Sequence, residues 1–152
     1  MEKIAIFPGS FDPITIGHEY IINRALPLFD KIIVAVGINS SKPSYFTVEQ
    51  RMDWIKTVFQ DNDKINVKSY TGLTVNFVKQ ENAGYIIRGL RTSADFEFER
   101  AIAQVNKKMY PNLETVFLLT TPELTPVNST IVRDILRNGG DASMFIPSKI
   151  KL

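Results

Sequence analysis

Cysteine is absent from the 152 residues. Without a thiol the chain forms no disulfide, offers no thiolate to zinc and has no cysteine nucleophile, a composition that suits a reducing compartment. Long apolar runs are missing as well. The longest, Ile32 to Val36, falls far short of the roughly 18 residues a membrane-spanning helix needs. After Met1, Glu2 and Lys3 only four apolar residues run up to Pro8, too few for the core of a secretory signal. Neither sign of charge prevails: 18 Lys and Arg face 16 Asp and Glu for a net charge of +2, which advertises no nucleic-acid partner. These absences lead us to expect a cytoplasmic protein that engages neither membrane nor nucleic acid.

What is present is ordinary globular material, 44% hydrophobic and 22% charged, with no segment biased enough for disorder. Its length predicts a single domain over residues 1–152. Short β-rich runs at Ile4–Phe7, Lys31–Val36, Ile65–Tyr70, Tyr85–Ile87 and Thr115–Leu119 predict five buried strands. Helical spacing links Ile21, Ile22, Ala25, Leu26 and Phe29, then Val48, Met52, Ile55 and Phe59. Thr47 with Gln50 forms a capping-box pattern at the second helix. A third apolar stripe joins Phe98, Ala101, Ile102, Val105 and Met109, and a last helix is predicted from Ser129 to Asn138, stopped by Gly139-Gly140. Strand and helix in alternation imply an α/β fold: a Rossmann-like, doubly wound, five-stranded parallel sheet with helices on both faces. Ligands of such sheets sit beyond the carboxyl ends of the strands, so the loops there are where chemistry belongs.

The first such loop reads Gly9-Ser10-Phe11-Asp12-Pro13-Ile14-Thr15-Ile16-Gly17-His18, with helix one beginning near His18. Gly9 and Gly17 permit close backbone approach, and amides at a helix start can face an anion. Ser10 can donate a hydrogen bond, and His18 can donate from either ring nitrogen to phosphoryl oxygens. Taken alone, His18 is as well explained as an ordinary helix-start residue. If Gly9, Phe11, Asp12, Pro13, Gly17 and His18 each occur at roughly 5%, however, a chance match of all six is on the order of 10⁻⁸ per window.

Three later segments fall in the same kind of place. Lys42, after the second strand, carries a flexible ammonium that could reach a phosphate, or is simply an exposed loop lysine. Arg88-Gly89-Leu90-Arg91 directly follows the fourth strand. Its two guanidinium forks suit phosphate oxygens, or else they pair with Asp95, Glu97 or Glu99. Val127-Asn128-Ser129-Thr130 opens the last helix, where hydroxyls and amides can hold phosphate oxygens or merely cap it.

Together these strings resemble the nucleotidyltransferase α/β-phosphodiesterase superfamily. The one-histidine form Thr15-Ile16-Gly17-His18, behind Gly-Ser-Phe-Asp-Pro and followed later by Arg-Gly-Leu-Arg with Asp95-Phe96-Glu97, is similar to the phosphopantetheine adenylyltransferase family. The resemblance implies transfer of the adenylyl group of ATP to 4′-phosphopantetheine with Mg²⁺ present, giving dephospho-coenzyme A and pyrophosphate. It also implies a homohexamer and inhibition by coenzyme A. By the same resemblance His18, Lys42, Arg91 and Ser10 are catalytic. Ser10, Lys42, Thr74 and Arg88 bind the acceptor. Ser10, Phe11, His18, Gly89, Leu90, Arg91, Glu99, Leu124, Thr125, Pro126, Val127, Asn128, Ser129 and Thr130 line the nucleotide site, and no side chain is assigned to a metal. Phe96 and Phe98 are expected to pack. The rival expectations are another small nucleotidyltransferase, using CTP or nicotinamide mononucleotide, and a non-catalytic nucleotide-binding module.

Overall fold

In the computed structural model, which describes residues 1–152, the chain runs β1 (Ile4–Gly9), α1 (Ile16–Ala25), β2 (Lys31–Gly37), α2 (Val48–Val58), β3 (Ile65–Tyr70), α3 (Thr74–Gln80), β4 (Tyr85–Leu90), α4 (Ser93–Met109), β5 (Glu114–Leu119) and α5 (Ser129–Arg137). Every strand pairing is parallel, and the order across the sheet is β3-β2-β1-β4-β5. Alternation along the strands separates two cores. Ala5 and Phe7 of β1 join Ile21 and Ile22 of α1, Ile55 of α2 and Val132 of α5 on one face. Ile6 joins Val75 and Val78 of α3 on the other. Period-two side-chain alternation is what lets one strand feed both layers.

The strand order reverses between β1 and β4, where these sheets open a crevice. Here the opening has a local cause. β1 pairs with β4 only at Ala5–Tyr85 and Ile6–Ile86, while its ladder with β2 continues to Gly9. Pro8 has no N–H to give a second neighbour, and the two strands part before it. The gap is filled by the Arg88 side chain, whose Nη1 donates to the Pro8 carbonyl at 2.8 Å.

Several boundaries differ from the sequence expectation. α1 begins at Ile16, two residues before the expected start near His18, because Thr15 caps it. Leu26 leaves the helix: Pro27 turns Leu26–Leu28 into a 3₁₀ turn, although Phe29 still reaches the core. β4 runs on through Arg88 and Gly89 to Leu90, held by its ladder with Phe117, Leu118 and Leu119, so the two residues lie in the strand and not after it. α3 was absent from the expectation. α5 ends at Arg137, one residue early, with Gly139 at φ +76° and the Gly140 N–H donating to the Ile135 carbonyl at 2.9 Å.

Candidate active site

The first loop is built to aim one side chain. Thr15 caps α1 through its hydroxyl, which accepts from the His18 N–H at 3.4 Å. In return, the Thr15 N–H donates to His18 Nδ1 at 2.9 Å, with the Thr15 hydroxyl 3.1 Å from the same nitrogen. An imidazole whose Nδ1 accepts must carry its proton on Nε2. Sequence reasoning allowed His18 to donate from either nitrogen; the cap removes one of them and leaves Nε2–H as the only donor. The ring packs against Phe11 with centroids 4.9 Å apart. Burial, then the charges of Arg88 and Arg91, lower its pKa from 6.5 to about 4. At neutral pH His18 is an uncharged, oriented N–H.

His18 and Arg91 line one cavity of about 260 Å³ with Gly9, Ser10, Phe11 and Gly89. Asp95 steadies Arg91 by accepting from its backbone N–H at 3.0 Å and from Nε at 3.2 Å. Its two terminal nitrogens have no protein acceptor and remain for a ligand. A second cavity of about 630 Å³ lies alongside, lined by Tyr70, Thr74, Ile102 and Asn106 among others. Pro8, Gly9, Ser10 and Arg88 border both. The partition is therefore the end of β1 plus one guanidinium. Glu99 grips that guanidinium in a fork, accepting from Nε at 2.9 Å and Nη2 at 2.7 Å, a geometry that fixes orientation as well as charge. Two adjoining chambers, with a neutral donor and an arginine in the smaller, suit the handling of a phosphate chain beside a second substrate.

Comparison with known proteins narrows this sharply. Residues 6–135 match the family described as cytidylyltransferase-like. The chain is 50% identical over 148 residues to the phosphopantetheine adenylyltransferase of Flavobacterium johnsoniae, covering 97% of each chain. It is 49% identical over 150 residues to that of Cytophaga hutchinsonii, covering 99% of this chain and 100% of the relative. The chain belongs to the phosphopantetheine adenylyltransferase family. Among solved structures the fold recurs in a bifunctional NMN adenylyltransferase/ADP ribose pyrophosphatase from Francisella tularensis, at TM-score 0.76 and 19% identity. That match covers 99% of this chain and 46% of the longer one. A candidate nicotinate-nucleotide adenylyltransferase from Vibrio parahaemolyticus gives TM-score 0.72 at 20% identity, covering 98% and 96%.

Within this adenylyltransferase fold the expected site residues divide. Ser10, Phe11, His18, Gly89, Arg91, Leu124, Val127 and Asn128 converge on the smaller cavity. Ser10, Thr74, Arg88 and Glu99 border the larger one. Glu99 thus stands on the larger-cavity side of the partition, engaged by Arg88. Thr74 Oγ1 is 2.8 Å from the Tyr70 hydroxyl. Lys42 is exposed on the loop after β2 and lines neither cavity. Leu90 is buried in the sheet, and Thr125, Pro126, Ser129 and Thr130 do not line the smaller cavity. The Ser129 hydroxyl donates to the Pro13 carbonyl at 2.7 Å, and Thr130 accepts from Arg133 at 3.2 Å. Asn128, not Ser129, caps α5, accepting from the Ile131 N–H at 2.9 Å. Phe98, expected to pack, is 67% exposed and lines the larger cavity. Phe96 meets Phe117 edge-on at 5.9 Å but is itself 40% exposed.

Sequence reasoning passed over Thr15, although its spacing to His18 repeats that of Thr47 to Gln50. It also passed over Tyr70 and Asn106, whose place in the larger cavity depends on how far β3 and α4 extend.

Proposed function

We propose that this adenylyltransferase binds ATP in the smaller cavity and 4′-phosphopantetheine in the larger, and joins them by direct attack. A 4′-phosphate oxygen forms a bond to the α-phosphorus as the bond from that phosphorus to the β-bridging oxygen breaks, so pyrophosphate leaves and no covalent enzyme intermediate forms. The observation that carries this reading is the shared wall, which puts the mouths of both cavities against Ser10 and Arg88. The Ser10 hydroxyl steers the attacking phosphate. The neutral His18 Nε2–H and the free end of Arg91 meet the charge that grows on the α-phosphoryl oxygens. Lys42 enters as a contact made from its mobile stem when both substrates are present.

Bound to the substrate, Mg²⁺ would supply neutralisation of charge on the β- and γ-phosphates. No group of three or more His, Asp and Glu side chains gathers in the chain, so the protein does not form a cage for it. The fit is to an ion carried by substrate phosphates and water, as Mg²⁺ commonly is. A homohexamer, inhibition by coenzyme A and a cytoplasmic location belong to the same proposal. No helix is long and apolar enough to cross a membrane.

The deciding experiment measures pyrophosphate release with magnesium and three pairs: ATP with phosphopantetheine, ATP with nicotinamide mononucleotide, and CTP with a phosphorylated alcohol. Release with the first pair alone is expected. Release only with another pair reassigns the acceptor, and ATP binding without release from any pair makes the chain a binding module.

A further inference from the structure

The carbonyls of the first loop are held from outside by three other elements. Arg88 of β4 takes Pro8 at 2.8 Å, Arg51 of α2 takes Ser10 at 2.7 Å, and α5 takes Asp12 through Arg133 at 2.8 Å and Pro13 through Ser129 at 2.7 Å. Arg51 and Arg133 are the arginines of this set that the functional reading leaves without a task, and of the two only Arg51 is buried. It lines neither cavity and is only 4% exposed. Its remaining partners are neutral: Nε donates to the Thr47 carbonyl and Nη2 to the Ser44 hydroxyl, both at 3.4 Å. No carboxylate lies within salt-bridge distance of it. A buried cation with only neutral partners is costly, and an apolar side chain of that volume would serve stability as well or better.

The Ser10 carbonyl is the clue to what the cation does. Only Asp12–Pro13 is cis, so the Ser10–Phe11 peptide is trans and planar, and its N–H points opposite to its C=O. Drawing the carbonyl toward α2 turns the Phe11 N–H away from α2. That N–H has no acceptor in the protein, and Phe11 lines the smaller cavity with His18. Phe11 also sits at φ +47°, a left-handed conformation that a bulky residue adopts only under constraint. Its ring, 1% exposed, is pinned in the core, and the Ser10 carbonyl anchor constrains the peptide from the other side.

Resting on the adenylyl-transfer reading above, we propose that Arg51 is a positioning residue: it anchors the Ser10 carbonyl so that the Phe11 N–H is a fixed donor to the nucleotide's phosphates. Through Ser44 it also ties this loop to the segment that carries Lys42.

The test compares Arg51→Gln, Arg51→Ala and Thr47→Ala with the wild-type enzyme. Thr47→Ala removes the α2 cap and weakens the same helix without touching Ser10. Arg51→Gln is expected to lower kcat about 10- to 100-fold, the loss of one hydrogen bond to a charged group, with the acceptor KM within about twofold. Ethylguanidinium should restore part of the Arg51→Ala turnover while ethylammonium does not, and Thr47→Ala should keep wild-type kcat. In the wild-type protein the Phe11 amide resonance should shift on adding MgATP without acceptor, a readout that stands even if the Arg51 variants fail to fold. Near-normal kcat in Arg51→Gln, an equal loss in Thr47→Ala, or a Phe11 amide unmoved by MgATP overturns the assignment. A wild-type chain that releases no pyrophosphate from ATP and phosphopantetheine overturns the functional reading instead, and this one with it.

Discussion

With Nδ1 of His18 occupied by the Thr15 N–H, the imidazole is an oriented neutral donor, and in the proposed reaction its value would lie in where charge develops rather than in proton transfer. His18→Ala should therefore lower turnover by at least about a hundredfold, as removal of an oxyanion donor does, while calorimetry finds ATP affinity nearly unchanged. The pH behaviour follows from the depressed pKa of about 4. Because this is the sole histidine, its C–H resonance should titrate near 4 and activity should show no acid limb near 6.5. The unfolded chain takes up the proton near 6.5 and the folded one only near 4, so between those values the unfolded state holds more protons. Stability from this group is complete above 6.5 and declines as pH falls toward 4. Urea midpoints should drop across that window in the wild type and less in His18→Gln. The raised pKa of Glu19, due to burial, acts in the opposite direction but is common to both proteins, so the difference reports His18.

Elements bring the chemistry together through close contacts that tolerate little. A Cβ at Gly89 on β4 would come within 3.1 Å of Ile21 Cγ1 on α1, and Ile21 is a core residue, 3% exposed. Gly89→Ala should cost about 1–3 kcal/mol in urea unfolding, with Ile21→Val restoring part of it in the double variant. Most elements were legible in the sequence because their periodicity is long or their caps are chemical: Thr47–Gln50 at α2 and Gly139 after α5 are examples. α3 was not, since it has seven residues and a Leu73 start with no side-chain cap. β4 was cut short because Arg88 and Gly89 read as loop residues, and only pairing with β5 reveals them as strand. The motifs placed Ser10, His18 and Arg91 around one cavity. They offered Asp95, Glu97 and Glu99 as partners of the two arginines, and Arg91–Asp95 and Arg88–Glu99 both form; they could not reveal that the Ser129 hydroxyl is spent on Pro13, because that depends on which neighbour reaches first in space.

On the scale of the whole molecule, two cores flank the sheet, yet no residue of α4 is buried. Phe98, Ile102, Val105 and Met109 are all at least 40% exposed. The apolar stripe seen in the sequence therefore exists, but it is not in the core: Phe98 and Ile102 line the larger cavity, while Val105 and Met109 are exposed. Exposed apolar residues of this kind are where the proposed hexamer would place a subunit contact. Val105→Glu should lower the sedimenting mass, and an unchanged mass would place the subunit contact elsewhere. If the proposed substrates fill the two chambers, the wall the chambers share at Pro8, Gly9, Ser10 and Arg88 has a consequence for ligand design. A single compound with an adenylate head and a pantetheine-like arm, tethered across Ser10, would meet its second chamber as an intramolecular event. Its affinity should exceed that of either half by about 10² to 10⁴, provided the tether is no longer than the stretch of backbone it must cross.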